Sequence, residues 1–333
     1  MTKKILLIVA IVFSGVMLFA QADDKRLEEV SKMAKQDAKE GWIKGGGIGL
    51  DFTGLRLINP RVGAGDNKFG IGGLGTFFFN YKKGKDYWNN GVNFQLAVQN
   101  VNLDAKRLYQ KNLDVVRFNS RYGHQIKEKL FGAVDFGLET LLLPTYSGNF
   151  TSPETAGDNL IAKLFSPARI TFSPGLDYKH DDHFSVFFAP IGLKIIYVAD
   201  QDIANLGIHG TKLVEENDPS KGFEQMFLQA GANLQAKYNN KFISDKVSYT
   251  TQLDLFSNYL NNPQNIDVLW GHALDISIAK GLSLSLMGEL FYDHDILVNF
   301  DRDGNGRYDG TPNELARRVS MTGGYYLKYS KVF

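Results

Sequence analysis

From Trp42 to Phe333 the chain repeats one pattern: apolar and polar residues alternate in runs of roughly ten or more, the length a tilted strand needs to cross a bilayer. Val247, Tyr249, Leu253, Leu255 and Tyr259 interleave with Ser248, Thr250, Gln252, Asp254 and Asn258. Ile266, Val268, Trp270, Leu274, Ile276 and Ile278 interleave with Asp267, Gly271, Asp275 and Ser277, and Leu282, Leu284, Leu286, Leu290 and Tyr292 with Ser283, Ser285 and Glu289. Successive side chains of a strand point to opposite faces, so each run has one apolar and one polar face. The last run, Ala316 to Phe333, sets Val319, Met321, Tyr325, Leu327 and Tyr329 against Ser320, Thr322, Tyr326, Lys328 and Ser330. About twelve such strands can be counted, which leaves a soluble sandwich or a membrane barrel as the architectures to separate.

The start of the chain separates them in part. Lys3 and Lys4 precede an apolar run from Ile5 to Phe19 and then Ala20-Gln21-Ala22. A basic region, a short hydrophobic stretch and an A-x-A-like site read as a secretory signal over residues 1–22, with cleavage after Ala22. Its removal takes two lysines and no acid, turning a formal charge of +1 into −1, a balance that gives no case for nucleic acid. No second long apolar segment follows, so any membrane span must be built of strands. The chain has no cysteine, which removes disulfides and thiolate metal sites together. Asp23 to Glu40 has helical spacing, with Leu27, Val30, Ala34 and Ala38 on one face. It reads as a short periplasmic helical lead-in over residues 23–41, either solvated or a periplasmic plug or partner helix, ahead of a barrel over residues 42–333.

Connection lengths carry the next step. Tight polar links at Lys82–Asp86, Lys127–Lys129, Lys179–His183, Asn239–Ser244 and Lys280–Gly281 alternate with longer ones at Arg56–Lys68, Asn102–Asn112, Ser147–Ala168, Asp200–Phe223, Asn261–Asn265 and Asp293–Leu315. A sandwich has no reason to keep that order, whereas outer-membrane barrels have short periplasmic turns and longer extracellular loops. Tyrosines stand at both strand ends: Tyr146, Tyr197, Tyr259 and Tyr292 before longer loops, Tyr81, Tyr122, Tyr178 and Tyr238 before short turns. Amphipathic rings concentrate at the two membrane interfaces. The expected fold is all-β, a transmembrane antiparallel up-and-down β-barrel of about twelve strands in the cell outer membrane. The final strand then has to pair with the one that begins near Trp42, and Phe333 becomes a targeting residue for the barrel-assembly machinery.

Four groups of residues carry a resemblance: Phe79-Asn80-Tyr81 with Tyr87-Trp88-Asn89-Asn90, the run from Asn112 to Gly123, Phe165 to Arg169 with Pro174 to Tyr178, and Leu255 to Tyr259 with Val268 to Trp270. In this order they resemble a family of Bacteroidota outer-membrane barrels catalogued as a domain of unknown function. The likeness runs over nearly all of the chain after the signal. It implies an outer-membrane β-barrel and brings no activity, substrate or site residues with it.

Polar residues on the inward parity are Arg117, Arg121, Asp135, Glu139, Lys194, Asp254, Asp275, Glu289 and Lys328. With both signs present, they can form a network that narrows the lumen or a selective path for a polar solute. Asp301, Asp303, Asn305 and Asp309 follow the D-x-[DN]-x-[DN]-G spacing of a calcium loop. The twelfth position is Pro312, and Glu314 comes two residues late, so an EF-hand is excluded. Calcium held by those four residues in an extracellular loop competes with an ordinary Asp/Gly turn. Ser152-Pro153-Glu154 predicts a loop helix with Leu160, Ile161, Leu164 and Phe165 on its apolar face. His180 and His183 flank two aspartates in what reads as a tight turn, a poor metal site. No G-x-S-x-G elbow is present. The leading functional expectation is a channel or transporter for a small polar solute, with no cofactor beyond that calcium. A non-conducting surface protein that binds calcium or partners through its loops comes second, and a membrane-embedded hydrolase third.

Overall fold

A computed structural model describes residues 40–59, 68–100, 109–153, 159–216, 218–279, 282–302 and 315–332; for 51–57, 68–70, 100, 112, 328 and 330–332 it describes the backbone alone. Twelve strands alternate up and down: β1 (Gly41–Ile58), β2 (Lys68–Lys83), β3 (Asp86–Asn100), β4 (Tyr109–Lys127), β5 (Leu130–Thr140), β6 (Ala168–Lys179), β7 (Phe184–Tyr197), β8 (Met226–Phe242), β9 (Val247–Asn258), β10 (Ile266–Ala279), β11 (Leu282–Tyr292) and β12 (Ser320–Val332). Each pairs antiparallel with its chain neighbours, and β1 closes the barrel against β12 in a register running from Gly47 opposite Val332 to Ile58 opposite Met321. Closure removes the sheet edge, so every strand has a partner on both sides.

Burial is inverted relative to a soluble fold. On one parity Ile48, Leu50, Phe188 and Tyr329 are 52%, 63%, 43% and 63% exposed, while on the other Phe187 and Tyr326 are each 1% exposed. An apolar belt turned outward around a closed barrel is the lipid face of a transmembrane protein. Trp42, Trp88, Tyr122 and Tyr178 are exposed near the short turns, and Tyr197 and Tyr259 near the long loops. Trp42 packs against Tyr81 and Trp88 at ring-centroid distances of 5.2 and 5.9 Å, so that the interface belt is tied together where the barrel starts.

The short links are two residues at Gly84–Lys85 and Glu128–Lys129 and four at His180–His183, all at one end. Gly84 takes φ +55°, which a two-residue hairpin needs if its twist is to match the strands. The turn expected at Asn239–Ser244 comes later: β8 runs on to Phe242, because Asn239, Asn240 and Lys241 pair with Thr250, Tyr249 and Ser248 instead of leaving the sheet. The last strand also starts later than its alternation suggests. Leu315–Ala316 pairs with Val298–Asn299 outside the barrel, and Arg317 donates to the His294 carbonyl.

Candidate functional site in the barrel interior

Halfway along the lumen, Arg121 of β4 makes the contact that crosses it. Its Nε donates to Asp135 Oδ1 of β5 at 2.6 Å, and its Nη2 donates to Gln235 Oε1 of β8 at 2.7 Å. Three strands separate β4 from β8 in the sheet, so the second bond spans the interior. The guanidinium also lies 4.4 Å from the Phe187 ring of β7. A planar fork of five donors suits such a multi-sided contact, which a lysine could not make. Four residues along, Arg117 Nε donates to Glu139 Oε2 at 2.7 Å, and Arg169 approaches the same carboxylate at 3.5 Å. The register sets Arg117 opposite Glu139 and Arg121 opposite Asp135, so the two ion pairs follow from strand pairing.

Toward the short turns, Tyr87 Oη of β3 donates to Asp177 Oδ2 of β6 at 2.6 Å, again across intervening strands. The Tyr87 ring lies over Gly123, where any Cβ would come within 2.3 Å of it. Lys179 Nζ sits 3.5 Å from the Tyr87 ring centroid, 4.7 Å from that of Phe131 and 3.7 Å from Asp177 Oδ2. Below this group opens a cavity of about 600 Å³, lined among others by Lys82, Lys129, Lys179, His180, Tyr87 and Phe131.

Toward the long loops, Lys194 of β7 places its ammonium 3.6 Å from the Phe256 ring of β9 and 4.0 Å from Asp267 of β10. Asp254 accepts from Gln252 at 2.6 Å, and Asp275 accepts from Ser285. Glu289, 1% exposed, lies on the inward register between Gly271 and Thr322. Lys328 registers opposite Ser283 on that parity; its side chain lies outside those described. At the mouth, burial pushes the Asp293 carboxyl above its usual range, offset in part by the Asp295 amide that donates to it.

The loop helix expected from Ser152 is not formed where its apolar face was placed. Leu160–Ala162 is a strand paired with Thr145–Tyr146, and Leu160 packs on Val198, Ile203 and Ala204. Of the four apolar residues of that face, Leu160 bridges to the next loop, while Leu164 and Phe165 stay exposed at 46% and 42%. His209 Nε2 donates to the Ile161 carbonyl at 2.6 Å and Lys163 pairs with Asp200, so two long loops form one braced lid. Lys111 and Asp114, both buried, fasten its base: the Asp114 carboxylate accepts from Lys111 at 2.5 Å and from the Leu142 and Leu143 amides at 2.8 and 3.0 Å. His183 bonds the Asn239 carbonyl and His180 stands beside Tyr178, in the tight turn the sequence suggests. Asp301 is described; Asp303, Asn305, Asp309, Phe333 and residues 23–39 lie outside the described residues, and among those described no group of three acidic or histidine residues is placed to hold a metal ion.

Sequence reasoning missed Tyr87, Asp177, Lys179, Phe187, Gln235, Phe256 and Asp267. Asp177, Gln235 and Asp267 were findable, since they share the polar parity of their strands. Phe187 and Phe256 were not, because an aromatic on that parity reads as an error in the alternation until its cation partner is in view.

Residues 58–146 match the family described as Protein of unknown function (DUF3078), a stretch holding the first two of the four motif groups. Among proteins of curated function none matches the chain. Of solved structures, an outer-membrane channel from Pseudomonas putida F1 is similar at 9% identity and TM-score 0.42, over 89% of this chain and 96% of that one. The NanC porin is similar at 8% and 0.39, over 84% and 98%, and outer membrane phospholipase A from Escherichia coli at 9% and 0.38, over 91% and 98%. Identities this low carry no residue-level correspondence.

Proposed function

We propose that the chain is an outer-membrane channel for small polar solutes, narrowed by its own side chains. The observation that carries this is the way the interior is crossed: Arg121 to Gln235, Tyr87 to Asp177 and Lys194 to Asp267 span it with single polar contacts. Eight-stranded barrels fill completely with side chains and barrels of sixteen to eighteen strands leave an aqueous pore, so twelve strands leave a lumen that a few long side chains can close. Charged bridges of this kind rearrange around a passing polar solute, whereas an apolar fill would exclude it. Outer-membrane placement is supported by the closed barrel with its outward apolar belt, and origin in Bacteroidota by the order of the motifs. Refolded protein, shown folded by heat-modifiable mobility, is reconstituted in planar bilayers and in liposomes. Discrete conductance steps and swelling with small polar solutes are expected; a folded barrel that gives neither refutes the reading.

A second reading is favoured by the braced loops, whose buried apolar core of Val198, Ile203 and Ala204, with Leu160 packed on it, holds them in a fixed shape that can present a binding surface. In that reading the loop from Asp293 to Leu315 binds calcium. Calcium-dependent protection of that loop from protease supports it, and identical cleavage with chelator removes it.

A further inference from the structure

Lys179 is out of place for a lysine at a wide aqueous mouth. Its ammonium lies over the Tyr87 and Phe131 rings at 3.5 and 4.7 Å from their centroids. Those rings meet edge to face at 73°, with centroids 5.3 Å apart, so that two aromatic surfaces converge on one point. Asp177 forms the third wall. It is 2% exposed, its Oδ2 is taken by the Tyr87 hydroxyl, and its Oδ1 is buried with no hydrogen-bond partner among the described residues. Two ring faces and a buried carboxylate, whose Oδ2 lies 3.7 Å from the ammonium held between them, are the chemistry that recognises an organic cation. The cage is built by the fold, because Tyr87 reaches it only by lying across Gly123.

We propose that Tyr87, Phe131 and Asp177 form a binding cage for the ammonium group of an amine solute, and that Lys179 fills it as a tethered stand-in. Tyr87 and Phe131, two walls of the cage, line the 600 Å³ cavity together with Lys179, so a solute reaches the cage from the short-turn end of the barrel. An arriving alkylammonium displaces the Lys179 ammonium into the cavity, one cation for another, with no net charge brought into the wall. Displacement lowers the apparent affinity by the fraction of time the cage is already filled. This rests on the channel reading, of which it names the solute class.

The test uses the refolded barrel in detergent micelles and isothermal calorimetry with n-butylammonium, n-butanol serving as the neutral isostere. Lys179→Met empties the cage and is expected to tighten butylammonium binding by about tenfold over the unsubstituted protein, with butanol unchanged. Adding Asp177→Asn to Lys179→Met is expected to abolish that gain. Lys179→Gln, which keeps a polar end, serves as a second variant should the methionine impair folding, and is expected to show the same gain. Butylammonium bound no more tightly by either Lys179 variant, or butanol bound as well as the amine, overturns the cage. Conductance in potassium chloride without amine is measured in parallel: a barrel that conducts without binding the amine loses only the cage, and one that binds without conducting loses only the channel.

Discussion

Replacing Arg121 by alanine removes a side chain that ties β4, β5, β7 and β8 together across the lumen. The structure lets the cost be worked out. The Arg121 and Asp135 side chains are 18% and 19% exposed, so truncation leaves a mostly buried carboxylate without its 2.6 Å partner. Breaking one member of a buried pair costs about 3–5 kcal/mol, and residual solvent access places this one near the lower end, at about 3 kcal/mol. Loss of the contact with Phe187 adds about 1 kcal/mol. Arg121→Ala with Asp135→Ala removes the uncompensated charge and should recover about 2 kcal/mol, because a missing pair is far cheaper than a broken one. Both variants lose the crossing to Gln235, so both should conduct several-fold more than the unsubstituted barrel. Urea unfolding followed by heat-modifiable mobility reads the first effect, and single-channel conductance reads the second. Equal destabilisation in the single and double variants would refute the charge argument. Unchanged conductance in both would show that the bridge is not the constriction.

Three further outcomes are expected. Asp114→Ala takes a carboxylate from Lys111 and from the Leu142 and Leu143 amides, and should cost about 3 kcal/mol locally, seen as faster hydrogen exchange over Leu141–Thr145. The Asp200 carboxyl is held below its ordinary 3.8 by its hydrogen bond from Lys163, with the Ile203 amide helping. A depressed folded-state value means that its contribution is complete above about pH 4 and is lost as pH falls through the lowered value, so limited proteolysis of the lid should accelerate only below pH 4 and not between pH 5 and 8. Gly231→Ala would set a Cβ 1.9 Å from the Ser257 carbonyl oxygen of the paired strand, and the yield of heat-modifiable barrel should fall sharply, whereas Gly73→Ala, with 4.0 Å to its nearest neighbour, should refold normally.

The strands themselves were legible because membrane and lumen impose opposite solvents on alternate residues, and that rule acts one residue at a time. Val247 to Tyr259 shows its two faces before any partner is known, and the alternation of short and long links orders the barrel end to end. Arg117 with Glu139 and Arg121 with Asp135 lie close to legibility too, since antiparallel pairing of neighbouring strands turns a sequence offset into a facing pair. The loop from Leu160 shows where local rules stop: its apolar residues fit a helix, yet Leu160–Ala162 is a strand, and Leu160 packs on the apolar cluster of a neighbouring loop.

What the sequence by itself determined is about twelve alternating strands, the closing pair of β1 with β12, and a polar parity that carries charges of both signs. What only the tertiary structure decided is which of those charges meet across the lumen. Gln235 reaches Arg121 over 114 residues and Asp177 reaches Tyr87 over 90, distances set by the curvature of the closed sheet and not by any spacing along the chain. Alternation fixes a side chain's direction, but its height and its opposite number depend on how every intervening strand is staggered, and that sum exists only once the barrel has closed.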